Sequence, residues 1–145
     1  MEIKFKKVHT VKDLTLSAIL FAAGIGLYFI NAGLGVVTAV CGLLMLLFWK
    51  NGHKAEGKDL LLQHKAMDLS KSCRASVLDF LSGKDIIPEL QSGNQGGIIR
   101  LEVWYNGTAK TAYACLYDFE NYMYEPATGI VELHDARADR LIARL

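Results

Sequence analysis

The chain begins with an apolar segment that is too long for one buried helix. From Leu14 to Trp49, a run of 36 residues, it contains no Asp, Glu, Lys, Arg or His. A soluble core helix of that length would carry a charged face, and a single membrane-spanning helix needs only about 20 apolar residues. The pattern therefore predicts two apolar helices in succession.

A short polar break divides this segment. Residues 31–33, with the sequence Asn-Ala-Gly, separate residues 14–30 from residues 34–49. At a rise of about 1.5 Å per residue each part would cover about 24 to 26 Å, slightly less than a hydrocarbon layer of about 30 Å, and the flanking Lys12 and Lys50 can reach the interface. A cleaved signal peptide is the competing interpretation of the first part, but no small-x-small cleavage motif follows it. We predict a transmembrane helical hairpin.

Small residues recur at helical spacing in both predicted helices. In lipid such ridges let helix backbones approach closely, which is a main source of helix association. They can pack the two helices against each other or drive oligomerisation. The predicted packing residues are Ala18, Ala22 and Gly26 in the first helix and Gly35, Ala39 and Gly42 in the second.

The lysines around the hairpin predict its orientation. Basic residues flank the outer end of each helix, whereas residues 31–33 carry no charge. Because positively charged flanks stay on the cytoplasmic side, we expect both termini to be cytoplasmic and the protein to span the inner or plasma membrane twice. The flanking residues are Lys4, Lys6, Lys7 and Lys12 before the hairpin and Lys50, Lys54 and Lys58 after it.

The remaining chain predicts a small cytoplasmic domain. Residues 1–13 read as a basic tail, residues 14–49 as the hairpin, residues 50–57 as a linker and residues 58–145 as an α+β domain. A helix from Lys58 to about Leu81 is predicted from apolar residues three and four apart, with Ser82-Gly83 ending it. These apolar residues are Leu62, Ala66, Leu69, Cys73, Val77, Phe80 and Leu81.

Strands follow this helix. The stretch "IIRLEVWYNGTAKTAYACLYDF" alternates on both sides of Asn106-Gly107, which predicts a type I′ hairpin with Tyr105 opposite Thr108. The more aliphatic face, expected toward the helix, comprises Ile99, Leu101, Val103, Tyr105, Thr108, Lys110, Ala112, Ala114 and Leu116. The other face comprises Arg100, Glu102, Trp104, Ala109, Thr111, Tyr113, Cys115 and Tyr117.

A second hairpin and a helix are predicted to complete the fold. The segments "NYMYE" and "GIVEL" flank Pro126 and should pair with each other. Asp135 is the predicted N-cap of a last helix over residues 136–145. The predicted fold class is thus membrane-anchored α+β: a two-helix transmembrane hairpin, then a helix, an antiparallel sheet of three or four strands, and a C-terminal helix.

Charge and cysteine usage narrow the function classes. Residues 50–145 contain 12 basic and 13 acidic side chains, so nucleic acid, which needs a concentrated basic surface, is not an expected partner. Cys41, Cys73 and Cys115 form no CxxC pair, and His64 with Asp68 offers only two of the three or more ligands that zinc requires. We predict no metal and no cofactor.

Aromatic residues next to an arginine are the candidate binding residues: Arg100, Trp104, Tyr113 and Tyr117. Exposed Trp, Tyr and Arg favour protein interfaces, although cross-strand aromatic pairs also stabilise a sheet without any ligand. We predict a non-enzymatic membrane protein, of adaptor or regulatory type, whose partners are the lipid bilayer and a protein or another copy of itself.

Two alternatives stay open. The acidic residues of the second hairpin could serve a membrane-surface enzyme, although no nucleophile motif or phosphate-binding loop accompanies them. An oligomeric transporter or channel is less favoured, since no ionisable residue lies within residues 14–49 to line a path. The acidic residues are Asp118, Glu120, Glu125 and Glu132.

Overall fold

The structure is a computed structural model that describes residues 3–92 and 97–145. The chain forms two compact units. Residues 5–54 form a hairpin unit, and residues 3–4, 55–92 and 97–145 form an α+β unit.

Two apolar helices make up most of the hairpin unit: α1 (Val11–Tyr28) and α2 (Ala32–Phe48). α1 begins with a capping box, because the Thr10 side chain accepts a hydrogen bond from Asp13 N while the Asp13 carboxylate accepts one from Thr10 N. With 18 residues, α1 is long and apolar enough to cross a membrane, whereas the 17-residue α2 is too short by the same measure.

The predicted break between the helices is confirmed, but the helices end and begin at residues other than those predicted. Asn31 is the N-cap of α2, and its side-chain Oδ1 accepts a hydrogen bond from Leu34 N at 3.2 Å. Ala32 and Gly33 therefore already belong to α2. Asn31 is a capping residue rather than a flaw in one long helix.

Short strands lie where a tail and a linker were expected. β1 (Phe5–Val8) and β2 (Gly52–Ala55) form a two-stranded sheet. The sequences "FKKV" and "GHKA" are too short and too basic to show alternation, so the pattern predicted neither strand.

The α+β unit contains an antiparallel sheet and two helices, which confirms the α+β class. The sheet has five strands rather than the three or four predicted, because residues 63–70 form a strand where a helix was expected. The sheet order is β3-β4-β5-β6, with β7 also paired to β5. The elements are β3 (Gln63–Ser70), a 3-10 turn (Lys71–Cys73), α3 (Arg74–Leu81), β4 (Ile98–Asn106), β5 (Thr111–Glu120), β6 (Met123–Pro126), β7 (Val131–His134) and α4 (Asp135–Ile142).

The predicted helix from Lys58 to Leu81 is wrong over its first two thirds. β3 occupies residues 63–70 and pairs along its whole length with β4. Within it the inward Leu69 is buried and Met67 is half-buried, whereas Ala66 and Asp68, which alternate with them, are exposed. A period of two and a period of 3.6 share several positions over eight residues, so the apolar spacing alone did not separate a strand from a helix.

The β4–β5 hairpin differs from its prediction by a slip of four residues. Tyr105 lies opposite Ala112 rather than Thr108, and Asn106 opens a longer loop in which its Oδ1 accepts a hydrogen bond from Ala109 N at 2.9 Å. Since side chains alternate with a period of two, an even slip leaves every strand residue on its predicted face. The predicted faces are therefore confirmed although the turn is not.

The second predicted hairpin is wrong in its pairing. β6 and β7 do not pair with each other; both pair with β5, so that Glu125 lies opposite Asp118 and Glu132 opposite Tyr113. The turn lies instead between β5 and β6, at Asn121-Tyr122.

The aliphatic face of the sheet packs against α3 and α4 and forms the core. The prediction that this face lies toward a helix is therefore confirmed. α4 is further held by Arg137, which donates to the Phe80 carbonyl oxygen, and by Arg140, which pairs with Asp85. Asp135 does not cap α4 as predicted, because His134 takes the N-cap position without a side-chain hydrogen bond. The buried cluster is Leu69, Cys73, Val77, Phe80, Leu81, Ile99, Leu101, Val103, Ala112, Ala114, Leu116, Leu133, Ala138 and Leu141.

Candidate functional site

The structure places the four predicted binding residues on one face of the sheet. Arg100 lies opposite Tyr117 and Trp104 opposite Tyr113, with the pair Glu102 and Cys115 between them. We call this side of β4 and β5 the aromatic face. Its two ends differ in what covers them.

At one end, the rings of Trp104 and Tyr113 are buried, with exposed fractions of 8% and 1%. His64 of β3 stacks on Trp104, with ring centroids 4.9 Å apart and planes 23° apart. Lys58 donates to the Tyr113 hydroxyl at 3.0 Å. A partner that approaches this end meets His64 and Lys58 before it meets either ring.

A groove of about 500 Å³ adjoins Tyr113 within the α+β unit. Glu132 Oε1 accepts from Lys58 Nζ at 2.7 Å and from the Tyr113 hydroxyl at 3.3 Å, and His134 Nε2 lies 3.0 Å from the same oxygen. The Lys58 ammonium lowers the pKa of Glu132, while Glu132 raises the pKa of Lys58, so both stay charged near neutral pH.

Sequence reasoning missed Lys58 and Glu132 as neighbours of Tyr113, and His134 as a neighbour of Glu132. Only the pairing of β7 with β5 brings Glu132 beside Tyr113. That pairing joins residues on strands that the sequence pattern had paired elsewhere, so no local signal could reveal it.

At the other end of the aromatic face, Arg100 is bound from two sides. Its guanidinium lies 3.0 Å from Asp68 Oδ1 and 4.0 Å from the ring centre of Tyr124. The Tyr124 hydroxyl donates to the same Asp68 at 3.4 Å, and the Tyr124 ring lies 4.9 Å from that of Phe119. Cation–π contact and ion pairing thus fix the arginine against β6.

Tyr117, the fourth predicted residue, is half-buried. Burial, with a hydrogen bond to the Cys115 thiol, raises the pKa of the Tyr117 phenol, and burial likewise raises the pKa of the Cys115 thiol. Both groups are therefore neutral near pH 7, which suits a structural contact better than a nucleophile.

The tip of the β5–β6 hairpin exposes large apolar side chains. Tyr122 is 94% exposed and Met123 61%, and Phe119 is partly exposed. Asn121 and Tyr122 have φ angles of +52° and +62°, the left-handed conformation of a two-residue hairpin turn. Asn tolerates this conformation, but a bulky side chain such as tyrosine rarely adopts it. Phe119, Tyr124 and Arg100 share one face of the sheet, whereas Met123, opposite Glu120, points to the other face. We call Phe119, Tyr122 and Tyr124, with Arg100, the tip patch.

Of the four acidic residues considered for catalysis, Asp118 and Glu125 lie opposite each other on β5 and β6, whereas Glu132 lies on β7 opposite Tyr113. Asp118 is held by Arg74 at 2.8 and 3.0 Å, and Glu132 by Lys58. Their positions along β5 are five residues apart, about 17 Å at strand spacing. In the described ranges, no group of three or more His, Cys, Asp or Glu residues is placed to hold a metal ion.

The hairpin helices approach each other through glycines. A Cβ added to Gly24 would overlap the backbone of Ala39, one at Gly35 would lie 2.8 Å from the Gly24 carbonyl oxygen, and one at Gly42 would lie 2.7 Å from Phe21 N. The missing side chains are therefore what permits the close packing.

Only the ridge predicted on α2 lies in this contact. On α1 the contact uses Ser17 and Gly24, whereas the predicted Ala18, Ala22 and Gly26 are exposed. Adjacent ridges of small residues lie about 100° apart around one helix, and spacing alone does not distinguish them.

Comparison of the chain with known protein families, with curated proteins and with solved structures finds no match. The site is therefore interpreted from its own geometry.

Proposed function

We propose that this protein is a non-enzymatic, two-span membrane protein that holds its α+β unit at the cytoplasmic surface, where the tip patch binds a protein partner. The proposal has a membrane part and a binding part. Separate observations support each.

Exposed apolar side chains support the membrane part. Among the described residues, 20 large hydrophobic side chains between Val11 and Trp49 are exposed. Soluble proteins rarely expose a contiguous apolar patch beyond about 300–600 Å². A bilayer removes this surface from water, and each helix satisfies its own backbone hydrogen bonds there.

The shortness of α2 is compatible with two spans. Its 17 residues rise about 26 Å, and neighbouring Ile30 and Trp49 extend the apolar length at both ends. Flanking lysines can reach the headgroups, and the bilayer can thin by a few ångströms. The same lysines favour a cytoplasmic location for both termini.

The conformation of Tyr122 carries the binding part. A left-handed backbone at a non-glycine residue costs about 1–2 kcal/mol, and glycine would avoid that cost. The strained position nevertheless holds a fully exposed aromatic ring close in sequence to Tyr124, whose ring stacks with Arg100. Aromatic residues and Arg are among the types enriched in protein interfaces.

The test replaces Tyr122 by glycine in the intact protein. Tyr122→Gly removes the ring and relieves the strain, so the unfolding midpoint should stay the same or rise while partner capture from mild detergent falls at least about ten-fold. The mass of the captured complex then distinguishes a second copy from a different protein.

Asn121→Gly is the matched control, because it relaxes the same turn and keeps the ring. It should retain capture. A photoreactive phenylalanine derivative at position 122 should also crosslink the partner, whereas the same group at exposed Ile87 should not. Undiminished capture by Tyr122→Gly would show that the tip patch is not the binding surface.

A further inference from the structure

We propose that the groove beside Lys58 binds a small amphipathic anion, a carboxylate or phosphate monoester with a short apolar group. The groove lies wholly within the α+β unit and has a volume of about 500 Å³. Pockets that hold small molecules span about 300–1,000 Å³ and combine apolar walls with a few convergent polar groups. This binding site is separate from the tip patch and does not depend on its role.

The walls of the groove come from two stretches of chain. Lys4 O accepts a hydrogen bond from Glu56 N at 2.8 Å, which holds the N-terminal stretch against the segment that enters β3. Ile3, Ala55 and Tyr113 also line the groove; Ile3 is half-buried, and Ala55 and Tyr113 are buried. The volume of the groove leaves room for an apolar chain of a few carbons.

The polar end of the groove favours an acceptor on the ligand. Lys58 uses two donors, one on the Tyr113 hydroxyl and one on Glu132, and an ammonium has three. Tyr113 in turn donates to Glu132. Beyond these two bonds, the Lys58 ammonium has one N–H donor that a ligand can use.

The charges also favour an anion. Glu132 is already matched by Lys58 and lies against His134, so its carboxylate does not repel an incoming negative group at full strength. Lys4 and Glu56, one basic and one acidic exposed residue, also line the groove. A bound anion would thus meet the Lys58 ammonium, which two hydrogen bonds hold in place.

The test uses the intact protein in nanodiscs of zwitterionic lipid, with octanoate, octyl phosphate and inorganic phosphate as probes, followed by calorimetry. Octanoate and octyl phosphate should bind saturably, and inorganic phosphate at least ten-fold more weakly because it lacks the apolar group. Lys58→Gln should weaken octanoate binding at least ten-fold, and Tyr113→Phe should weaken it less.

Lys84→Gln is the matched control, since Lys84 is also a partly exposed, ion-paired lysine, 3.0 Å from Asp79, and it does not line the groove. Its affinity for octanoate should be unchanged. Equal affinity in Lys58→Gln and the parent protein, with unfolding midpoints unaltered, would overturn the proposal, as would saturable binding of neither octyl probe.

Two sources of such an anion are separated by repeating the titration in nanodiscs that contain anionic phospholipid. Competition that weakens octanoate binding in the parent protein and not in Lys58→Gln assigns the site to a lipid headgroup with its chain. Unchanged octanoate affinity assigns it to a soluble anion. Both results support an anion site at Lys58.

Discussion

The two units of the protein bury opposite kinds of surface. In the α+β unit the aliphatic side chains of the sheet lie inside, and fully buried residues such as Leu101 and Leu116 form one core. In the hairpin unit the large apolar side chains lie outside, and the buried positions of α1 and α2 are Asp13, Ser17, Gly24, Gly35 and Gly42. The α+β unit is packed through large side chains, whereas the two helices of the hairpin unit pack where side chains are small or absent.

This difference indicates what stabilises each unit. Burial of apolar surface from water stabilises the α+β unit, at about 25 cal/mol per Å². The hairpin gains little stabilisation from apolar burial between its helices. Close packing of the two backbones and the capping hydrogen bonds at the helix N-termini must therefore stabilise it. The two units should therefore respond differently to substitution. Adding a side chain at the helix contact should destabilise the hairpin, whereas removing a side chain from the core should destabilise the α+β unit.

The largest effect is expected at Gly24. Gly24→Leu would place a side chain onto the backbone of Ala39, which cannot move aside without separating the helices. We expect loss of the packed hairpin, a destabilisation of more than about 3 kcal/mol, measured by unfolding in mixed micelles with increasing SDS. Gly26→Leu is the control, because a Cβ there has open space around it, and it should behave like the parent protein.

The next effect is expected in the core of the sheet. Leu116→Ala should lower the free energy of unfolding of the α+β unit by about 2–5 kcal/mol, because it leaves a cavity in a fully buried site. Fluorescence of buried Trp104, in a Trp49→Phe background, would report the transition. Leu44→Ala, at an exposed position of α2, should leave that transition unchanged; a comparable loss there would mean that the two units do not differ as described.

A smaller effect is expected from the ion pair between Arg74 and Asp118. Arg74 lowers the pKa of the Asp118 carboxyl below its usual value, so the pair stabilises the fold fully above the unfolded-state value of about 4 and loses that contribution as the pH falls through the lowered, folded-state pKa. Asp118→Asn should cost about 1 kcal/mol or less at pH 7, since the pair is partly exposed. Unfolding midpoints of both proteins should converge at low pH. A constant gap down to pH 2 would contradict the assignment.

The sequence pattern predicted those features that depend on local periodicity. The helical pair, the break at Asn31 and the two faces of β4 and β5 all follow from neighbours a few residues apart. The predicted faces are correct although the register differs by four residues, because an even shift keeps residues such as Val103 and Ala114 on the same face.

The pattern did not predict features that depend on distant partners. β3 became a strand because β4 pairs with it over residues 63–70, which overrides its ambiguous spacing. Glu132 reaches Tyr113 only because β7 pairs with β5. The positions of Gly35 and Gly42 on α2 determine which residues of α1 lie in the helix contact. Tyr122 was expected within a strand, since nothing in "ENYM" has the glycine that usually signals a two-residue turn.

Membrane crossing by the hairpin is the central claim, and labelling from one side of the membrane tests it most directly. In a chain whose Cys41, Cys73 and Cys115 are replaced by alanine, single cysteines are placed at Ile30, beside the turn between α1 and α2, and at Lys84, in the α+β unit. We predict that an impermeant maleimide added to intact cells labels position 30 and not position 84, and that permeabilisation exposes both. Equal labelling of the two positions from the same side, or recovery of the protein in the soluble fraction, would contradict the account.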